Sequence, residues 1–233
     1  MRFQKEYQQI KNNYLGLGAV EKLITFVRFT TTPLETISQY VPTSGKLLDL
    51  GCGFGVFSYF FAFKRPTLKV VAIDPSADRI KQANQVSFKP ENLTFIQTEV
   101  GSLQEEEFDA TIVIDVEVLM SRQEVLNMLE DCRKKTKPNG VIIIKTMSRD
   151  RFFRYLLSIS SSLIIEKLVA FFHFFSADKA SSKIFGHRIN KPHYYRSSEY
   201  KKILEKTGWH SIEIHDLPTQ LFFYPNIICL GKK

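Results

Sequence analysis

Cysteine is scarce in this chain, with three in 233 residues: Cys52, Cys132 and Cys229. The number is odd and no C-x-x-C pair occurs. That excludes a disulfide framework and a thiolate zinc site, and it fits a reducing compartment. Tryptophan occurs once, and glycine and proline are ordinary at 11 and 9, which excludes a fibrous or disordered chain. No uninterrupted apolar run reaches the roughly 18–20 residues of a membrane-spanning helix. The opening stretch, MRFQKEYQQIKNN, lacks the apolar core of a secretory signal. No His/Asp/Glu cluster stands at metal-ligand spacing, so no metal is expected. What remains is a soluble or peripheral, cytoplasmic protein, long enough to bury its own core as one domain.

Phenylalanine and positive charge, by contrast, are plentiful: 20 Phe and a formal net charge of +8. Both are unevenly spread. Residues 179–206 carry eight Lys/Arg against two Glu, whereas residues 91–131 carry eleven acids against Arg122 alone. Basic ends therefore flank an acidic middle, which speaks to partners rather than to fold. Six of the Phe (152, 153, 171, 172, 174 and 175) fall within 151–176. Arg154, three serines at 160–162 and Glu166-Lys167 interrupt that segment, so a spanning helix is not expected there.

Short apolar runs alternate with helical periodicity. Lys46–Leu50, Lys69–Ile73, Leu93–Gln97, Ala110–Ile114 and Val141–Ile144 read as strands. Helices are expected over Phe54–Lys64, from a Ser76 cap to about Val86, from a Ser121 cap to about Thr136, and over Ser198–Lys206. Two further strands follow near Trp209–His215 and Asn226–Leu230. Strands apolar on both faces, separated by helices, indicate a parallel sheet covered on both sides. The expectation is an α/β, doubly wound, Rossmann-like fold: a seven-stranded, mostly parallel sheet with helices on both faces and an inserted helical lid. As a single domain it divides into an N-terminal helical cap (1–44), a ligand-binding core (45–147), the lid (148–196), and a C-terminal helix and hairpin (197–233).

The sharpest chemistry lies in Leu47-Leu-Asp-Leu-Gly-Cys-Gly-Phe-Gly55. Three alternating glycines after a buried strand allow a tight turn and a close approach of backbone to a ligand. The dinucleotide pattern G-x-G-x-x-G fails, because Phe57-Ser58 follow Gly55. Asp49 stands two residues before the first glycine, where it would repel a pyrophosphate but can accept hydrogen bonds from a cationic amino-acid head group. The second strand ends in Asp74, the third leads to Glu99 and the fourth ends in Asp115. All four acids fall at the carboxyl ends of strands, where such sheets bind ligands.

This pattern, with Lys137-Pro-Asn-Gly140 before the fifth strand, resembles class I S-adenosylmethionine (SAM) methyltransferases. The resemblance is close over about 45–145 and extends to Trp209 through Arg196-Ser-Ser-Glu-Tyr200. It implies SAM as cofactor, with Asp49, Gly51 and Gly53 at its methionine end and Asp74 on the ribose hydroxyls. Pro75, Glu99 and Val100 then lie at the adenine, and Asp115 and Val116 beside the transferred methyl. Tyr14, Arg28 and Thr30–Pro33 are expected to close over the cofactor, and Cys52 to pack under the loop.

The acceptor is approached by exclusion. The fourth strand lacks a (D/N)-P-P-(Y/F) box, no cysteine follows a proline, and no RNA-binding module is appended. A hydrophobic small-molecule or lipid acceptor is therefore expected, and a nucleic acid is not. The segment 151–176 reads as an ordinary lid helix, a homodimer face, or an interfacial helix on a membrane surface. The layout is similar to that of ubiquinone-biosynthesis O-methyltransferases, which points to a quinone-like acceptor. Two alternatives stay open: an RNA or protein methyltransferase using the basic ends, and a non-catalytic SAM-binding or membrane-interaction protein. Candidate bases are His187, His193 and Tyr194, with Tyr195 beside them. Glu117 is a further candidate, as a base or a metal partner of Asp115.

Overall fold

The computed structural model describes residues 10, 12, 14, 22, 25, 28, 29, 32–150, 193–218 and 225–233. Within them, a short helix α1 (Leu34–Ser38) precedes β1 (Gly45–Leu50), α2 (Val56–Lys64), β2 (Leu68–Asp74), α3 (Ala77–Asn84) and β3 (Leu93–Gln97). Then come β4 (Phe108–Ile114), α4 (Arg122–Lys135), β5 (Thr136–Met147), α5 (Ser197–Lys206), β6 (His210–Asp216) and β7 (Asn226–Lys232). The strands form one seven-stranded sheet in the order β3-β2-β1-β4-β5-β7-β6. Pairing is parallel from β3 to β5, and β7 is antiparallel to both β5 and β6. The order reverses between β1 and β4, which opens a crevice at their carboxyl ends. The expected doubly wound sheet is thus the observed one, while residues 151–192 of the expected lid fall outside the described residues.

Period-two alternation sends successive side chains to opposite faces. Leu47, Val70, Ala72, Ile112 and Ile143 enter one core with α1, α2, Tyr14 and Phe29. Leu48, Val71, Ile73, Val113, Ile142 and Ile144 enter the other with α4, α5 and Trp209. Helix α2 explains part of the Phe excess. Phe57, Tyr59, Phe60 and Phe61 are all buried, and the helix is apolar nearly all round, as a helix inside a core must be. Each such ring contributes about 1.5–3 kcal/mol by leaving water. The single Trp209 is 2% exposed, and its indole N–H donates to the Leu129 carbonyl at 3.2 Å. This bond fixes β6 to α4.

Local chemistry sets the helix starts. Ser76 Oγ accepts from Arg79 N–H at the head of α3. At α4, Ser121 and Glu124 form a reciprocal capping box, satisfying two otherwise orphaned donors. Helix α2 begins two residues later than expected, because Gly55 takes a left-handed φ of 80° as its N-cap. The Lys137–Gly140 stretch does not precede β5 but lies within it. Thr136 pairs with Phe108, Asn139 turns at φ 64°, and the register shifts before Ala110 meets Val141.

Candidate functional site

The glycine loop leaves β1 and folds back on β2. Gly51 N–H and Cys52 N–H both donate to the Ile73 carbonyl, at 2.8 and 3.0 Å. Gly51, Gly53 and Gly55 have φ of 70°, 56° and 80°, a region that costs other residues roughly 1–2 kcal/mol. Two of these glycines are also required by packing. A Cβ at Gly51 would lie 2.5 Å from Val116 Cγ2, and one at Gly55 would lie 2.4 Å from the Phe95 ring. Gly53 differs, since among the described residues its Cβ would meet only Arg28 Nη1, at 3.8 Å. The open face of Gly53 is therefore space that the described residues do not fill.

Two buried carboxylates flank this space. Asp49 is 2% exposed and accepts from Ser58 Oγ at 2.5 Å. Burial pushes its carboxyl up to about 6, against the lowering effects of the Ser58 bond and Arg28. Asp74 is 1% exposed. Its Oδ2 accepts from Gly53 N–H at 3.0 Å, and its Oδ1 accepts from Ser76 N–H at 2.9 Å. Arg79 Nη1 stands 3.5 Å from Oδ2. Each carboxylate oxygen has two acceptor sites, so Asp74 keeps capacity for a further donor. Cys52 is buried under the loop, and its burial raises the thiol well above its ordinary range.

The other expected residues lie around the same crevice. Pro75 is exposed at the head of α3, and Glu99 is exposed just before a short 3-10 turn, Val100–Ser102, in which Val100 is buried. Asp115 follows β4 at a positive φ of 55°. Its N–H donates to the Lys145 carbonyl, and the Lys145 ammonium donates to both its carboxylate oxygens at 2.9 and 2.7 Å. Val116 packs against Gly51. The structure therefore brings Asp49, Gly51, Gly53, Asp74, Asp115 and Val116 to one end of the sheet.

A second recess of about 190 Å³ adjoins these residues, lined by Arg28, Asp115, Val118, Lys145, Met147, Tyr194 and Asn226. Of the candidate bases, Tyr194 stands on its wall. His193 is exposed, and its backbone N–H donates to the Val118 carbonyl at 2.8 Å. Tyr195 is buried in the opposite core beside Tyr200. His187, Phe171 and Phe172 lie outside the described residues. Glu117 does not share a site with Asp115. It is fully buried on the other side of the sheet, where its Oε1 accepts from Tyr200 O–H at 3.0 Å. Burial pushes its carboxyl up to about 7.

A family model for the methyltransferase domain matches residues 43–208. The chain belongs to that family. It carries the class I, SAM-dependent methyltransferase fold, as the strand order and crevice indicate. Among curated relatives, a ubiquinone biosynthesis O-methyltransferase of Rhodopseudomonas palustris is 33% identical over 45% of this chain and 41% of its own length. A malonyl-[acyl-carrier protein] O-methyltransferase of Ilyobacter polytropus is 27% identical over 49% of this chain and 44% of its own. The chain thus spans less than half the length of these relatives. Human N-acetylserotonin methyltransferase, solved with SAM, superposes with a TM-score of 0.66 at 14% identity, covering 99% of this chain and 57% of that one. Magnesium protoporphyrin IX methyltransferase of Synechocystis, solved with S-adenosylhomocysteine (SAH), gives 0.62 at 16%, covering 99% and 94%.

Three features of this crevice are not announced by the sequence. Lys145 hides in an apolar strand, Ser58 in an apolar helix, and Asn226 begins a late β-strand. The only sequence signal was a lone polar residue inside an otherwise apolar run.

Proposed function

We propose that the domain moves a methyl group from SAM to an oxygen or nitrogen of a hydrophobic small molecule or lipid-linked, quinone-like acceptor. The observation that carries the cofactor half is the open face of Gly53 between the buried carboxylates of Asp49 and Asp74. In this reading Asp49, Gly51 and Gly53 hold the methionine end, and Asp74 accepts from the ribose hydroxyls. Pro75, Glu99 and Val100 border the adenine, while Asp115 and Val116 flank the reactive end. An Asp49 carboxyl raised to about 6 is ionised at neutral pH and gains a partner when a cationic amino group arrives.

When bound, SAM supplies an electrophilic methyl group on a sulfonium. The chain's own tasks are to align the acceptor, exclude water and take a proton from it. His187, His193 and Tyr194 are the proposed proton acceptors, and the position of Tyr194 on the recess wall supports this neighbourhood. Support for an apolar acceptor comes from the relatives named for ubiquinone biosynthesis and from the Phe-rich sequence of 151–176. Among the described residues no helix is long and apolar enough to cross a membrane.

The test is incubation with methyl-labelled SAM and a combined lipid and small-molecule extract, followed by identification of the labelled product. Label in an apolar metabolite is expected. Label in added tRNA or protein, or absence of SAM binding by calorimetry, overturns the proposal.

A further inference from the structure

Asn226 is 2% exposed, and both atoms of its side-chain amide are buried without a hydrogen-bond partner. A buried amide left unsatisfied is costly and rare, and asks for an explanation. Its position supplies one. Asn226 starts β7 and lies opposite Met147 of β5, while Lys145 lies opposite Ile228. Asn226, Met147 and Lys145 therefore share one face of the sheet, with Asn226 and Lys145 as diagonal neighbours. All three line the same recess.

Lys145 is 4% exposed and spends two donors on Asp115; an ammonium has three. The recess floor thus combines an amide with an unused donor and acceptor, an ammonium with one donor left, and the apolar Met147 and Val118. Arg28 joins it to the glycine loop, since its Nη1 also approaches the open face of Gly53.

We infer that Asn226 and Lys145 form the head-group subsite of the acceptor, and that they select a phenolic or enolic hydroxyl over an amine. This rests on the methyltransferase reading above. A hydroxyl donates and accepts, and so satisfies both amide functions of Asn226 in turn. As its oxygen gains negative charge, the remaining Lys145 donor stabilises it. An ammonium acceptor meets the cations of Lys145 and Arg28 against the single carboxylate of Asp115, and a neutral aromatic amine, its lone pair delocalised into the ring, accepts only weakly from Asn226 and Lys145.

The test uses SAH-saturated protein and three probes of one shape, 4-hexylphenol, 4-hexylaniline and 4-hexylanisole, with affinities read by calorimetry. The phenol is expected to bind about tenfold more tightly than either analogue, the effect of one hydrogen bond to a charged or buried group. Asn226→Leu should erase that preference while leaving SAH affinity unchanged. Because the amide it removes has no partner in the fold, this variant should melt no lower than the parent. Asn226→Ser, which restores a donor and an acceptor, should recover part of the preference. Equal affinities for the three probes in the parent, or an unchanged ratio in Asn226→Leu, overturns the inference while SAH binding stands. Failure of the parent to bind SAH overturns the methyltransferase reading itself.

Discussion

On the β1–β2 side of the crevice, polar contacts close over short stretches of chain. Ser58 reaches Asp49 across 9 residues, Ser76 reaches Asp74 across 2, and Gly53 reaches Asp74 across 21. On the β4–β5–β7 side they span much more: 30 residues from Lys145 to Asp115, 54 from Thr146 to Tyr200, and 83 from Tyr200 to Glu117. The first side is a local turn stiffened by its own backbone. The second is assembled only when the sheet closes, from side chains that depend on one another. If the first side holds the cofactor and the second the acceptor, as proposed, the two are built by different means, and variants on the two sides should fail differently.

The largest separation is expected at Asp74. Under the proposed ribose role, removing this buried carboxylate forfeits hydrogen bonds to a charged group, each about 1.5–3 kcal/mol. Asp74→Ala should weaken SAM and SAH binding by about 100-fold or more and abolish the ligand-induced rise in melting temperature. Asp74→Asn, which keeps one acceptor, should lose less. Wild-type affinity in Asp74→Ala would remove the ribose role and reverse the assignment of the two sides.

A second contrast lies within the loop. Gly51→Ala adds left-handed strain to a 2.5 Å clash with Val116, together about 3 kcal/mol or more. At 2–4 °C per kcal/mol for a chain of this size, its melting temperature should fall by roughly 6–12 °C. Gly53→Ala carries strain alone, about 1 kcal/mol, yet fills the space assigned to the cofactor. Its melting temperature should fall by only roughly 2–4 °C while SAM affinity drops at least about tenfold. Equal affinity for Gly53→Ala and the parent would show that the open face is not where SAM passes.

The same contrast explains what the sequence disclosed. The placement of Asp49, Gly51, Gly53 and Asp74 at one end of the sheet was legible because the loop and strand end that hold them are continuous in sequence, and turn chemistry is local. Ser76 and Ser121 were legible as caps for the same reason. Lys145 was not, because a lysine within Val-Ile-Ile-Ile-Lys-Thr-Met announces nothing until β4 brings Asp115 beside it. Glu117 was read as a neighbour of Asp115, two residues away. Instead its carboxylate turns to the opposite core, where Tyr200 receives it. The Lys137–Gly140 stretch was placed before the fifth strand, but cross-strand pairing of Thr136 with Phe108 decides that β5 begins ahead of it.

Glu117, buried behind the recess on the opposite face of the sheet, gives that half of the molecule a pH signature. Its folded carboxyl titrates near 7 against an ordinary value of 4.5, raised chiefly by burial. Between those limits the folded protein holds a proton that the unfolded chain has released. Stability from this group is therefore greatest below about pH 4.5, declines as pH rises to about 7, and is level above it. The decline amounts to about 3 kcal/mol. Glu117→Gln keeps an acceptor for Tyr200 and cannot ionise. Its melting temperature relative to the parent should climb by several degrees over that interval and then hold. Asp49, raised to about 6, makes a similar contribution ending one unit lower, so Asp49→Asn should shift the corresponding curve toward acid. Parallel curves for the parent and Glu117→Gln would mean that the buried carboxyl does not titrate in this range.

The smallest effect checks that the two sides rest on a scaffold serving neither in particular. Ser121 heads α4, accepting from Glu124 N–H at 3.3 Å, while Glu124 accepts from Ser121 N–H at 2.6 Å. Helix α4 packs in the second core, away from the face that carries Asp49, Lys145 and Asn226. Ser121→Ala removes one half of the box and should cost about 1 kcal/mol, a fall of roughly 2–4 °C in melting temperature. SAM affinity and any preference among acceptor probes should stay within twofold of the parent. A larger drop in SAM affinity would couple α4 to the crevice through Asp115 and Val116, which lie between β4 and the helix start. The two sides would then be halves of one mechanical unit rather than separate devices on a common sheet.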